Sequence, residues 1–295
     1  MRALVCRSFV DHNRKNAGPM IDLQSHSTVS DGELPPSEVV AAAAAAGITT
    51  MALTDHDAVD GLPEASEAAD RHGIALVPAA EVSCVHADLD DLHMLGYWID
   101  PAAIKPACER AQRERHERAI EIVENLRRAG FELTIEDVIR EAGDADAIGR
   151  PHIARAAGAT RETMGAFFEE WLVPEGGKAF VSRRWPTAAE AIDLIHEAGG
   201  AAVLAHPFWD LDEPERVAAL IDDLALDGVE CFYPTHDRAQ TEFLLNTCRD
   251  RGLVATASSD FHGPGHKMFN AFGVYPTYEL GEPELPPRRG ESARD

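Results

Sequence analysis

Nine side chains that could bind a metal or move a proton fall at or just past the ends of apolar runs: His26, Asp31, Asp55, His56, Glu81, His206, His236, Asp260 and His262. In parallel α/β sheets and barrels, the carboxyl edge of the strands is where sites are assembled. Gln24 and His26 are two apart, as are Asp260 and His262, so each pair can aim at one point from extended chain. His93 falls on the returning strand of a hairpin that begins near Glu81, and cross-strand proximity brings the two together. Imidazoles and carboxylates converging in this way are the donor set of a divalent-metal centre. A single histidine carries no such implication. His72, His116 and His196 sit within helical stretches and are assigned no chemistry.

The elements that must position these groups alternate. "MIDLQ" reads as a strand, "PPSEVVAAAAAAG" as a helix entered at proline and left at glycine, and "TTMALTD" as a strand. "GLPEASEAADRHG" follows as a helix and "IALVPAAEVS" as a third strand. "VSCVHADLDDLHMLGYWI" reads as a hairpin turning at 88–91. Beyond Pro101 the long charged helix "ACERAQRERHERAIEIVENLRRAG" opens a helical stretch, and the alternation resumes with "TAAEAIDLIHEAGG", "AAVLAHP", "GVECFYPTH" and "LVATASSDFHG". This order predicts an α/β fold around a mostly parallel sheet. Residues 20–100 and 182–278 would form one discontinuous domain, with a helical insertion at 101–181. Residues 1–19 read as a leader upstream of a start at Met20, and 279–295 as a loose tail.

Composition narrows the partners. The 295 residues carry 27 basic and 51 acidic side chains, a formal charge of −24, which repels long polyanions such as duplex nucleic acid. A small anion drawn into a metallated pocket is not excluded by that charge. Five scattered cysteines without a CxxC pair point to a reducing, cytoplasmic setting with buried thiols, and no apolar run reaches the length of a membrane span.

Taken in order, "DLQSHSTVSDG", "LTDHDAVDG", "EVS" with "LHMLGY", "GRPHIA", "AHP" and "SSDFHG" resemble the PHP family, the polymerase and histidinol phosphatase group, from Met20 to about Val274. The resemblance implies a distorted (β/α)7 barrel with two to three divalent ions, manganese, iron or zinc. It assigns one ion to position 24 with His26, Glu81 and Asp260. A second falls to Glu81, His93 and His206, with Glu81 bridging, and a third to Asp31, His56 and His262. Position 24 departs from the pattern, with glutamine where the family has histidine. An amide offers only its carbonyl oxygen, a harder and weaker donor than imidazole, which favours manganese or iron(II) over zinc.

Clustered divalent ions suit hydrolysis of phosphate esters. Arg150 and His152 in "GRPHIA" are the clamp expected over the barrel mouth, and His236 is a proton donor or a phosphate ligand. Lys178, Arg183 and Arg184 serve either packing or substrate, and Asp55 and Asp57 either orient ligands or cap the next helix. Within the family the chain resembles phosphatases of nucleoside monophosphates or 3',5'-bisphosphates, with a 5'-to-3' exonuclease on short RNA as the alternative. A nucleotide- and metal-binding sensor without turnover is the reading from another class. Oligomeric state is not legible in the sequence.

Overall fold

The computed structural model describes residues 20–289 apart from 144, 146, 175 and 210, so the leader with Cys6 and His12 lies outside the described residues. Strand and helix alternate as β1 (Ile21–Asp22), α1 (Pro36–Ala45), β2 (Thr50–Leu53), α2 (Leu62–His72), β3 (Ala75–His86) and β4 (Leu89–Tyr97). After a helical segment they resume with α7 (Ala188–Glu197), β5 (Ala201–Leu204), α8 (Pro214–Asp223), β6 (Gly228–Phe232), α9 (Arg238–Arg251) and β7 (Val254–Ala257). The seven strands form one sheet in chain order, parallel except where the β3–β4 hairpin makes β4 antiparallel to both neighbours. Leu23 N–H donates to the Ala257 carbonyl at 3.0 Å and His26 N–H to that of Phe261 at 2.8 Å, so the first and last strands meet and the sheet curls into a seven-stranded barrel.

Alternation along the strands separates two apolar layers. Leu23, Ala52, Val77, Ala79, Leu95, Tyr97, Val203 and Ala205 fill the barrel interior. Outward residues such as Met51, Leu53, Val82, Met94 and Leu204 pack with Val39, Ala65, Ile195 and Leu244 of the helices. Each large side chain so buried contributes roughly 1.5–3 kcal/mol. The helices start where local chemistry says they should: Thr187 with Glu190 and Asp237 with Gln240 form capping boxes, and Gly252 ends α9 in the left-handed region.

The insertion consists of α3 (Pro101–Arg128), α4 (Ile135–Ala142), α5 (Arg150–Ala156), α6 (Met164–Phe167) and a π-helical turn at Phe168–Leu172. The first half of α3 rests on the barrel through Ile104 and Cys108. Its second half builds a separate core, in which Ile122, Val123 and Leu126 meet Val138, Ile153 and Leu172.

Three local expectations need correcting. Regular strand β1 ends at Asp22 rather than Gln24, because Ser25 N–H turns to the Thr54 hydroxyl at 3.2 Å instead of continuing the ladder. The hairpin turns at Ala87–Asp88, with Ala87 at φ 50°, which leaves Asp91 inside a strand. The chain beyond 278, up to 289, lies across the barrel floor rather than loose. Glu284 N–H donates to Ala255 O at 2.8 Å, Trp98 Nε1–H to Pro286 O at 2.7 Å, and Arg288 stacks over Trp98. No described helix is long and apolar enough to cross a membrane.

Candidate metal centre

His26 and Asp31 sit on a loop whose shape is set by Asp55. Its carboxylate accepts from Ser27 N–H, Ser27 Oγ–H and Ser30 Oγ–H, each at 2.7 Å. Gly32 closes that loop by donating to Ser27 O at 2.9 Å. A Cβ at position 32 would lie 2.3 Å from the His26 carbonyl, so only glycine fits. Asp57 works from the other side of His56: it accepts from Ser83 N–H and Arg115 Nε–H. Neither aspartate caps α2, whose N-cap is Gly61.

At the centre stands Glu81. One carboxylate oxygen, Oε2, lies 3.1 Å from His26 Nε2 and 3.3 Å from His56 Nδ1. The other, Oε1, lies 3.0 Å from His93 Nδ1 and 3.3 Å from His206 Nε2. The strand register explains this reach: Glu81 pairs with Leu95 and Ser83 with His93, so Glu81 and His93 are diagonal neighbours on the inward face. Asp260 Oδ1 comes within 3.2 Å of His26 Nε2, and Tyr233 donates to Asp260 Oδ2 at 2.7 Å. Asp31 faces His262 Nε2 at 3.6 Å and His56 Nε2 at 3.9 Å. His206 and Asp260 are held at positive φ, a conformation that the surrounding structure must impose.

Eight of the nine residues assigned to metal are therefore joined by short contacts. His56 stands between two of the expected groups, with Nδ1 toward Glu81 and Nε2 toward Asp31. The donor set fits a divalent ion by a direct criterion. His26 Nε2, His56 Nδ1, Glu81 Oε2, Asp31 Oδ1 and Asp260 Oδ1 are all buried without a hydrogen bond, an unfavourable state that coordination relieves. Burial alone would raise Glu81, yet His56, His93, His206 and His26 outweigh it and hold the carboxyl well below its usual range. Asp31 is likewise held down against its burial by His56, His262 and His26. Both supply anionic oxygen at neutral pH.

Gln24 is fully buried, and the structure ties it to Ser258 and Glu230 behind the centre. Ser258 Oγ lies 2.5 Å from Glu230 Oε1 and 3.4 Å from Gln24 Oε1, while Gln24 Nε2 has no hydrogen bond. Burial raises Glu230 to about 8, so at neutral pH its carboxyl keeps a proton to donate to Ser258 Oγ, and the Ser258 hydroxyl donates to Gln24 Oε1.

The phosphate and acid candidates fare unevenly. Arg150 is committed to Asp91 through Nη2 and to Leu172 O at 3.0 Å through Nη1. His152 is buried, and burial pushes it down to about 4, so its ring is neutral. Its Nδ1 accepts from Gly149 N–H at 3.0 Å, which leaves the ring proton on Nε2. His236 packs against Tyr233 and Phe208. Burial pushes it down to about 4, and Nδ1 donates to Cys231 O at 3.1 Å, so Nε2 is a bare acceptor. That tautomer does not suit a proton donor. Lys178 pairs with Glu170 and Arg184 with Glu121 on the surface, whereas Arg183 is buried.

Arg183 belongs to a cluster that the sequence reading did not foresee. Arg115, Arg118, Arg150 and Arg183 meet in the seam between insertion and barrel, beside Asp57 and Asp91. Asp91 lies 3.9 Å from His93 Nε2, so the cluster adjoins the metal donors. Arg118 Nη1 and Arg183 Nε and Nη1 are buried without hydrogen bonds. Burial, reinforced by Arg183, Arg115 and Arg150, pushes Arg118 down to about 9. A signal for it existed: Arg115 and Arg118 occupy the buried stripe of α3 that also holds Cys108, Ala111, Ala119 and Ile122.

Comparisons with known proteins bear on the family. A 3',5'-nucleoside bisphosphate phosphatase of Chromobacterium violaceum is 37% identical over 259 residues, 83% of this chain and 88% of that protein. A 5'-3' exoribonuclease Rnm of Salmonella typhimurium is 33% identical over 285 residues, 90% of this chain and 95% of its own length. Among solved structures, a protein of Bifidobacterium adolescentis classed as a metal-dependent phosphoesterase superposes with a TM-score of 0.75 at 31% identity, covering 88% of this chain and 92% of that one. The PHP domain model matches residues 22–170, and together with these full-length likenesses it shows that the chain belongs to the PHP domain family of metal-dependent phosphoesterases.

Proposed function

We propose that the protein removes a phosphate from a small nucleotide carrying two phosphoryl groups, a 3',5'-nucleoside bisphosphate. The observation that carries this reading is the arginine cluster beside the donor set: four guanidinium groups among Asp57, Asp91 and Glu114, with Arg118 in no ion pair among the described residues and with Arg118 Nη1 and Arg183 Nε and Nη1 buried without hydrogen bonds. Buried unpaired charge is costly and calls for an anion. A substrate with one phosphoryl group among the metal donors and a second at the arginines satisfies both halves of the site.

His26, Glu81 and Asp260, with Gln24 through its oxygen, would hold one ion, Glu81, His93 and His206 a second, and Asp31, His56 and His262 a third. Manganese is favoured by the amide at position 24. Divalent ions bound there supply Lewis acidity toward the phosphoryl oxygens and toward water. The chain's own residues do the rest. Arg118 and Arg183 offer charge-assisted hydrogen bonds to the second phosphate, and Asp57 and Asp91 keep the guanidinium groups in register. His152, neutral with its proton on Nε2, can donate to a phosphoryl or leaving oxygen.

The relative named as a 3',5'-nucleoside bisphosphate phosphatase supports this choice, and the exoribonuclease Rnm keeps short RNA with a terminal phosphate as the second reading. The chain's charge of −24 weighs against a groove that tracks a strand. The test is phosphate release from adenosine 3',5'-bisphosphate, AMP and a short 5'-phosphorylated RNA with added manganese, run beside elemental analysis of the purified protein. Preference for the bisphosphate with two to three equivalents of metal is the expected result. Stepwise mononucleotide release from RNA in preference to the bisphosphate would transfer the assignment to exonuclease, and metal near zero without turnover would leave a binding module.

A further inference from the structure

Trp209 follows His206 by three residues, and its backbone N–H donates to the His206 carbonyl at 2.8 Å. Its indole stands edge-on to the His206 ring at 6.2 Å and to Tyr233 at 6.4 Å, and tilts against Phe269 at 5.8 Å. Those neighbours belong to the metal centre or to its support: His206 meets Glu81, and Tyr233 donates to Asp260. Even so, Trp209 is 48% exposed, whereas every other Trp and Phe among the described residues is buried or half-buried. An aromatic ring this large is normally covered. Here its flank is braced by three rings while much of its surface is left to solvent beside the donor set.

We propose that Trp209 is the platform for the substrate's nucleobase. This rests on the nucleotide reading above and deepens it. A nucleoside bisphosphate has three recognisable parts, two phosphates and a base. The donor set and the arginine cluster account for the anionic parts, and neither offers a flat apolar surface. The indole does, at the lip next to His206, where the leaving nucleoside of a phosphate held at the donors has to emerge. Stacking on an aromatic face tolerates every base, because each has a π-face. The subsite therefore favours nucleotides over sugar or polyol phosphates without choosing strongly among bases, and the larger purines gain most.

The test compares adenosine 3',5'-bisphosphate with the abasic tetrahydrofuran 3',5'-bisphosphate in wild type, Trp209→Ala and Trp209→Phe. KM is read where phosphate is released, and Kd from quenching of tryptophan fluorescence where it is not. In the wild type the base should strengthen binding by roughly 5- to 150-fold, the range that stacking on an aromatic spans. Trp209→Ala should bring the two compounds to within about twofold, and Trp209→Phe should keep most of the difference. An equal base preference in wild type and Trp209→Ala overturns the proposal. So does a loss in Trp209→Ala that is the same for the abasic compound, which would make the residue a brace for His206 or part of a protein-docking surface. If the wild type binds with the base preference but releases no phosphate, the catalytic reading fails while this one stands.

Discussion

Replacing Arg118 by methionine should make the free protein more stable and its binding of a bisphosphate worse. The guanidinium is buried, has one nitrogen without any hydrogen bond, and is pushed down to about 9 by burial and by Arg183, Arg115 and Arg150. It remains charged at pH 7, so the folded state bears the whole unfavourable field. Each pH unit of displacement corresponds to about 1.4 kcal/mol, several kcal/mol in all for this group. Methionine keeps an apolar stem on the buried stripe of α3 that also holds Ala119 and Ile122, and removes the charge. After relaxation and water penetration are allowed for, a gain of about 2 kcal/mol is expected. For a chain of 295 residues, with an unfolding entropy of about 2.1 cal/mol/K per residue, that corresponds to a rise of roughly 3 °C in the midpoint of a thermal melt. Affinity should move the other way. A hydrogen bond to a charged group contributes roughly 1.5–3 kcal/mol, so KM for adenosine 3',5'-bisphosphate should rise about 10- to 150-fold, and that for AMP far less. The measurement is a melt in phosphate-free buffer together with the two KM values. A lower midpoint with an unchanged ratio of KM values would refute the argument and make Arg118 a structural residue of the seam.

Other perturbations address the metal donors and the groups behind them. Glu81→Gln removes the carboxylate that four histidines approach; altering groups behind a ligand already costs 10- to 100-fold in metal affinity, so a loss of at least about 100-fold is expected here. Elemental analysis after dialysis checks it, and full metal content would discredit the donor set. Gln24→His should shift retention from manganese toward zinc in a competition dialysis, whereas Ser258→Ala should lower occupancy without changing that preference, because it only frees the amide. Glu230→Gln bears on pH. Burial raises Glu230 to about 8, so the folded state keeps a proton that the unfolded chain has lost above the ordinary carboxyl range. Stability of the metal-free protein should therefore fall as pH rises from about 5 to 8, by up to about 1.4 kcal/mol per unit. The glutamine variant should flatten that slope in urea melts, and an unaltered slope would assign the titration elsewhere.

The part of the donor set that is periodic was legible from its period: Glu81 and His93 share a face by hairpin pairing. Gln24 with His26 and Asp260 with His262, two apart, lie beyond the ends of β1 and β7, where irregular chain and not strand spacing places them. What was not legible depends on partners. His236 sits just past a strand end like the others, yet its Nδ1 faces its own strand's carbonyl and its ring is buried against Phe208 and Tyr233. Arg150 carried the right motif, but Asp91 takes its Nη2, and nothing in the sequence reading placed Asp91 inside a strand. Asp55 could have capped a helix; three hydrogen bonds to the His26 loop decide otherwise.

Net charge and site charge point in opposite directions here, and the insertion reconciles them. A chain with 51 acidic and 27 basic residues repels polyanions at long range, but that repulsion is screened over about 10 Å in salt. Within the seam, four guanidinium groups from α3, α5 and the strand-free return at 183 stand among Asp57, Asp91 and Glu114 in a buried setting, where charges are screened less than at the surface. None of the four is contributed by a barrel strand. The barrel alone would hold metal donors and could attack any phosphate ester that reached them. On the bisphosphate reading proposed above, the insertion adds the second anion site and so narrows a general phosphoester chemistry to a substrate with two phosphates. The separate core of Ile122, Leu126, Val138, Ile153 and Leu172 packs α3 against α5, the helices that carry Arg115, Arg118 and Arg150. A cavity cut there, as by Leu126→Ala, should therefore cost the bisphosphate more than it costs AMP, although Leu126 belongs to the insertion's core rather than to the donor set.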